Sequence, residues 1–154
     1  MRKSVWWPLA FVLVCRPAFG QSLSPMPGQA VFLGGGSDPG ALLAEGLNRA
    51  AGQATRVVIL PLASARPDVA AAAYEKVFRD LGVVCETLPL RSRADAQRPA
   101  LVRTLAAADL VFFTGGDQNR IREILTGTPA QGALMAAWQR GQVLMGTSGG
   151  AMAW

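Results

Sequence analysis

Histidine is absent from all 154 residues. A serine or cysteine nucleophile normally takes its proton-accepting partner from histidine, so any such chemistry has to find its base elsewhere. Lysine is almost as scarce: beyond the first twenty residues only Lys76 is present. The formal charge of +5 overstates the basic character, because Arg2, Lys3 and Arg16 lie in a segment expected to be removed. Without them twelve basic residues face ten acidic ones, and no basic block occurs. That excludes a nucleic-acid partner on electrostatic grounds. Cysteine is limited to Cys15 and Cys85, too few for a disulfide framework. Cys85 sits in an apolar strand pattern and reads as a buried structural thiol. No apolar run is long enough to span a bilayer. Charged residues make up only 16% of the chain against 51% apolar ones, a balance that excludes disorder and lets a chain of this length bury a sizeable core.

The N-terminus has its own grammar. Arg2-Lys3 form a positive region, Val5 to Cys15 an apolar one, and Ala18-Phe19-Gly20 a small-x-small site before Gln21. Residues 1–20 therefore read as a secretory signal, with an uncleaved membrane anchor as the alternative. A lipoprotein reading of Cys15 is disfavoured by Val14, which stands where a small residue is wanted. Residues 21–28, with two prolines, two serines and no periodicity, form a linker. The expected location is secreted or periplasmic, with no stable membrane insertion after cleavage.

From residue 29 the pattern is regular. Apolar runs of strand length occur at Ala30 to Leu33, Arg56 to Pro61, Val83 to Leu88, Leu110 to Phe113 and Val143 to Gly146. Between them lie segments of helical periodicity. One opens at Ser37-Asp38-Pro39 and ends at Gly52. Others run from about Asp68 to Leu81 and from Arg98 to Ala108. Two more follow the fourth strand, Gln118 to Leu125 and a helix from Thr128-Pro129 to Arg140. Strands apolar throughout, alternating with amphipathic helices, require a parallel sheet covered on both faces. The expectation is an α/β, doubly wound, mostly parallel sheet. Because Val143 to Gly146 comes last, it is expected to leave an unpaired apolar edge.

In such sheets ligands bind beyond the carboxyl ends of the strands, and three glycine-bearing loops leave strands at that edge. Gly34-Gly-Gly36-Ser37 lacks both the G-x-G-x-x-G spacing and a P-loop lysine, which weakens a nucleotide-binding reading. Thr114-Gly-Gly-Asp-Gln118 reads either as a turn with a capping aspartate or as a loop whose glycine amide joins a catalytic site. Gly146-Thr147-Ser148-Gly149-Gly150 fits the G-x-S-x-G nucleophile elbow, though an ordinary strand-to-helix turn has the same look. In an elbow, Ser148 presents its Oγ at the start of a helix and the Gly149 amide is placed to donate to an oxyanion.

Phe112-Phe-Thr-Gly-Gly-Asp-Gln-Asn-Arg120, followed about thirty residues later by Gly146-Thr-Ser-Gly-Gly-Ala151, resembles the cyanophycinase family of serine peptidases, within the class similar to type 1 glutamine amidotransferases. Gly34-Gly-Gly-Ser37 and Val57-Val-Ile-Leu-Pro-Leu-Ala-Ser64 agree in kind and position. The likeness covers roughly Ala30 to Trp154 and implies a flavodoxin-like, class I glutamine amidotransferase-like fold. It also implies Ser148 as the nucleophile, main-chain N–H groups of Gly149 and Gly116 as oxyanion donors, and Gln118, with Asp117, at the substrate. The substrate implied is cyanophycin, an aspartate polymer with arginine branches, cut at β-Asp-Arg units. No cofactor or metal is implied, and an oligomer is compatible. The family usually has alanine where Gly149 stands.

Both the elbow fold and the family place the histidine and acid after the serine. Here only six residues follow Ser148. The expectation is therefore a sequence truncated after the elbow, residues 29–154 being the N-terminal part of a hydrolytic domain that is inactive alone. The alternatives are a catalytically inactive secreted α/β binding module, a related dipeptidase or amidotransferase-like hydrolase, and, more remotely, a nucleotide-binding domain.

Overall fold

The computed structural model of the chain describes residues 12–14, 28–34, 39–50 and 56–153. The strands are β1 (Val12–Val14), β2 (Gln29–Leu33), β3 (Val57–Leu60), β4 (Cys85–Thr87), β5 (Leu110–Phe113) and β6 (Val143–Thr147). Among the described residues five helices alternate with them: α1 (Pro39–Ala50), α2 (Pro67–Asp80), α3 (Pro99–Ala107), α4 (Gln118–Leu125) and α5 (Pro129–Gln139). One sheet holds all six strands in the order β1-β2-β6-β5-β3-β4. β2 to β6 run parallel, and β1 pairs antiparallel with β2.

The strands form where β-branched and aromatic residues are bounded by turn formers. Helix starts follow proline at the first turn in α2, α3 and α5. Because the strands are buried on both faces, alternate residues feed two cores. Val58, Leu60, Val111, Phe113 and Leu144 pack beneath α3, α4 and α5 through Leu101, Leu105, Ile121, Leu125 and Leu134. Val31, Leu33, Ile59, Phe112 and Met145 pack beneath α1 and α2 through Leu43 and Phe78. On that second face Phe112 carries Tyr74 and Phe78, with ring centroids 4.7 and 5.4 Å away. Helices on both faces of a parallel sheet make the fold doubly wound, of the flavodoxin-like kind expected.

One expectation is corrected. β6 is no edge: it lies between β2 and β5, registered Phe32↔Gly146 on one side and Phe113↔Gly146 on the other. The crossover through α1 carries the chain past two strand positions, and β5 and β6 return to fill them. The sheet edges are β4 and β1. β4 is short and carries the exposed Glu86 across from Arg56, a charged pattern that discourages edge pairing. β1 falls inside the segment read as a signal; the rest of residues 1–20, the linker up to residue 27 and the Ser37-Asp38 cap lie outside the described residues. No helix among the described residues is long and apolar enough to cross a membrane.

Candidate active site

β5 and β6 are adjacent, parallel and central, so their carboxyl ends deliver the loops at Thr114 and Ser148 to the same place. Ser148 has φ +50°, and it is the one non-glycine residue among those described with positive φ. A side-chain-bearing residue in the left-handed region costs roughly 1–3 kcal/mol and persists only where its surroundings hold it. Here the surroundings are backbone. A β-carbon on Gly146 would lie 2.5 Å from the Gly150 carbonyl oxygen, one on Gly150 would strike the Phe113 and Thr114 carbonyls, and one on Gly149 would strike the Gly116 carbonyl. Glycine at these three places is the condition for main chain to press on main chain.

Ser148 is exposed while Gly149 and Gly150 behind it are buried, so the turn presents its hydroxyl to solvent and hides its backbone. The helix expected after the serine is a single 3-10 turn, Ser148–Gly150, with Ala151 and Met152 amides donating to the Ser148 carbonyl at 2.9 and 3.2 Å. The amides at the start of such a turn have no partner within it, and Gly149 is the first after the serine.

The facing loop is held from the other side. Gly116, at φ +141°, has no room for a β-carbon against the Ala63 carbonyl. The next amide, Asp117 N–H, donates to that same Ala63 oxygen at 2.9 Å. This fixes the Gly116–Asp117 peptide with its carbonyl towards Gly149. The residue set against the serine side chain is Gly115, whose β-carbon position is 3.3 Å from Ser148 Cβ and 3.9 Å from Oγ; sequence reasoning did not single it out. Its mark was only its place in a glycine pair.

Asp117 caps α4, its Oδ1 accepting from the Asn119 N–H at 2.9 Å. The capping role weighed from the sequence is thus present, and it commits one carboxylate oxygen. Gln118 opens α4, half-buried, with its backbone nitrogen 3.3 Å from where a Gly149 β-carbon would stand. Arg120 reaches back from α4 to donate through Nε to the Leu62 carbonyl at 3.4 Å. Loops after β3, β5 and β6 therefore meet around Ser148. The Gly34 loop lies largely outside the described residues.

A family model, peptidase family S51, matches residues 30–154. The chain belongs to peptidase family S51. It is 35% identical over 105 residues to a cyanophycinase of Synechococcus elongatus, a match covering 67% of this chain and 33% of the relative. A Nostoc cyanophycinase is 33% identical over 105 residues, covering 67% and 35%. The chain spans about a third of the length of these curated relatives. Among solved structures, a peptidase from an acI-B1 Actinobacterium superposes with TM-score 0.67 at 27% identity, covering 82% of this chain and 56% of that one. A putative peptidase E protein from Listeria monocytogenes, with TM-score 0.54 and 23% identity over 72% of this chain and 54% of its own, shares the fold.

Within this S51 chain one further set of chemical groups lies at the other end of the sheet. Cys85 is free and half-buried at the start of β4, less enclosed than its apolar run implies. Burial, reinforced by Glu75 and opposed by Arg79, pushes its thiol pKa up, which lowers its reactivity. The cavity it lines with Glu75, Arg79, Val83 and Val84, about 330 Å³, opens at the amino end of the strands, opposite Ser148. No group of three histidine, cysteine or carboxylate side chains able to hold a metal occurs among the described residues.

Proposed function

We propose that this S51 chain provides the nucleophile and oxyanion half of a serine-type exopeptidase that hydrolyses cyanophycin at β-Asp-Arg units, or a related aspartyl peptide. The observation that carries the reading is the left-handed backbone of Ser148 on a turn walled by glycine, since strain of this kind is retained where it aims a reactive group. Ser148 Oγ attacks the carbonyl, the Gly149 amide and an amide of the Gly115–Gly116 stretch receive the oxyanion, and Gln118 and Asp117 line the substrate side.

The proton acceptor is the part that this chain does not offer. Without a base a serine hydroxyl is a weak nucleophile, and removing the histidine of a serine–histidine pair costs on the order of a million-fold in turnover. Residues 1–154 alone are therefore expected to release no dipeptide, and a longer form supplying a histidine and an acid is expected to be active. The test is product analysis with that longer form on three substrates: cyanophycin, aspartyl dipeptides and an unrelated protein such as casein. Release of β-Asp-Arg from cyanophycin supports the reading; cleavage of aspartyl dipeptides alone selects the related dipeptidase. Binding without cleavage of any of the three selects the non-catalytic binding module, which the missing histidine favours.

We further infer, from the charged, apolar and small-residue regions that follow one another in residues 1–20, that the protein is secreted or periplasmic with that segment cleaved. N-terminal sequencing of exported material should begin near Gln21. An intact Met1 on a cytoplasmic product would rule this out.

A further inference from the structure

α4 begins with a charge in an unfavourable place. Its first turn holds no acidic residue and does hold Arg120, although the free N–H groups of a helix start favour anions and repel a cation. No ion pair among the described residues includes Arg120, so a carboxylate does not account for it. What it holds is a carbonyl: its Nε donates to the Leu62 oxygen at 3.4 Å. Leu62 and Ala63 are the buried centre of a tight turn after β3, closed by the Ser64 amide, which donates to the Pro61 carbonyl at 3.3 Å. The Ala63 carbonyl accepts from the Asp117 amide at 2.9 Å. Two consecutive carbonyls of the β3 turn are thus taken by the start of α4, one by a backbone amide and one by a side chain.

The turn matters because of what leans on it. Gly116, at φ +141°, leaves room for the Ala63 carbonyl and the Ser64 nitrogen where a β-carbon would stand, and its own carbonyl faces Gly149. A pair of glycines has little conformational preference of its own, so Gly115–Gly116 keeps its orientation beside Ser148 only while the β3 turn stays in place. Oxyanion donors act without reorganisation only when they are fixed in advance. We propose that Arg120 is a positioning residue: by holding the Leu62 carbonyl it locks the β3 turn onto α4, and through Ala63 and Asp117 it fixes the Gly115–Gly116 stretch beside Ser148. Arg120 touches no reacting atom in this scheme. Its purpose rests on the peptidase reading of the site; its geometry does not.

Three replacements separate the donor, the charge and the stem. Arg120→Gln puts a neutral N–H donor at the same place along the side chain as Nε, Arg120→Lys keeps the charge with a methylene there, and Arg120→Met keeps a stem with neither. In the chain of 154 residues, exchange of the Asp117 amide proton, followed by NMR, should quicken roughly fivefold in Arg120→Met, the weight of one hydrogen bond, and stay within about twofold of wild type in Arg120→Gln. Unchanged exchange in Arg120→Met, or equal exchange in Arg120→Met and Arg120→Gln, overturns the proposal. In a longer, hydrolytically active form, Arg120→Met should lower kcat about fivefold at constant KM, and Arg120→Gln should recover most of that loss. A raised KM at constant kcat would make Arg120 a substrate contact. Activity kept by Arg120→Lys but lost in Arg120→Gln would make the charge its role. Either result overturns the proposal, and the second comparison holds even if Arg120→Met does not fold. Equal losses in Arg120→Met and Arg120→Gln that follow their melting temperatures would mark a merely structural role and contradict it as well. Absence of turnover in the wild type would defeat the peptidase reading, and the exchange measurement then decides the clamp by itself.

Discussion

Ser148 bears a conformational cost that glycine would not. Replacing it with glycine removes strain of about 1–3 kcal/mol and adds a chain-entropy cost of roughly 0.5–1 kcal/mol. Ser148→Gly is therefore expected to be more stable than wild type by about 1 kcal/mol in denaturant unfolding, a gain that would identify the serine as retained for chemistry. Its neighbour behaves oppositely. Gly149→Ala brings a methyl group against the Gly116 carbonyl, and overpacking of this kind costs about 1–3 kcal/mol. The family resemblance puts alanine at this position; here the loop at Gly115–Asp117 sits too close for it, so the substitution should lower the melting temperature unless that loop withdraws. The elbow was legible in the sequence because glycine, glycine and serine at fixed spacing have a backbone meaning. The approach of Gly115 to the serine side chain was not, since it depends on β5 and β6 being neighbours in the sheet, which spacing along the chain does not state.

At the scale of elements, every parallel strand and every helix is where apolar runs and caps place it, within a residue or two. Missed were the 3-10 turn Asp95–Gln97 and the antiparallel β1. The former is built by one side chain: Asp95 accepts from the amides of Arg91 and Ser92 at 3.1 and 3.0 Å and from the Ser92 hydroxyl at 2.8 Å. These bonds, the Arg91 amide foremost, hold its carboxyl pKa below the ordinary value. Its contribution to stability is therefore complete above the ordinary carboxylate pKa of about 3.9 and is lost as pH falls through the lower folded value. Asp95→Ala should melt below wild type at neutral pH, and the gap should close under strongly acidic conditions. Gln142 joins α3 to β6: its Nε2 donates to the Leu105 and Ala108 carbonyls, both at 2.8 Å, and the residue is buried. Gln142→Ala leaves both carbonyls without that partner and should cost about 2 kcal/mol or more, measured by chemical denaturation.

For the whole molecule, the strand order could not be read from the sequence, because apolar runs say that strands are buried but not which neighbours bury them. The consequence is that β6 is central and the sheet edge on its side is β1, with β2 next to it. Val12–Val14 covers β2, and loss of residues 1–20 would uncover Gln29–Leu33. A chain beginning at Gln21 should self-associate more than the full chain in light scattering, as an open apolar edge does. The claim on which the rest depends is that Ser148 is a nucleophile awaiting a base. It is tested most directly by measuring β-Asp-Arg released from cyanophycin by three proteins: the 154-residue chain, a longer form that adds a histidine and an acid, and that longer form with Ser148→Ala. The account predicts release by the second alone. Full activity in Ser148→Ala, or enzyme-like turnover by the 154-residue chain, would contradict it.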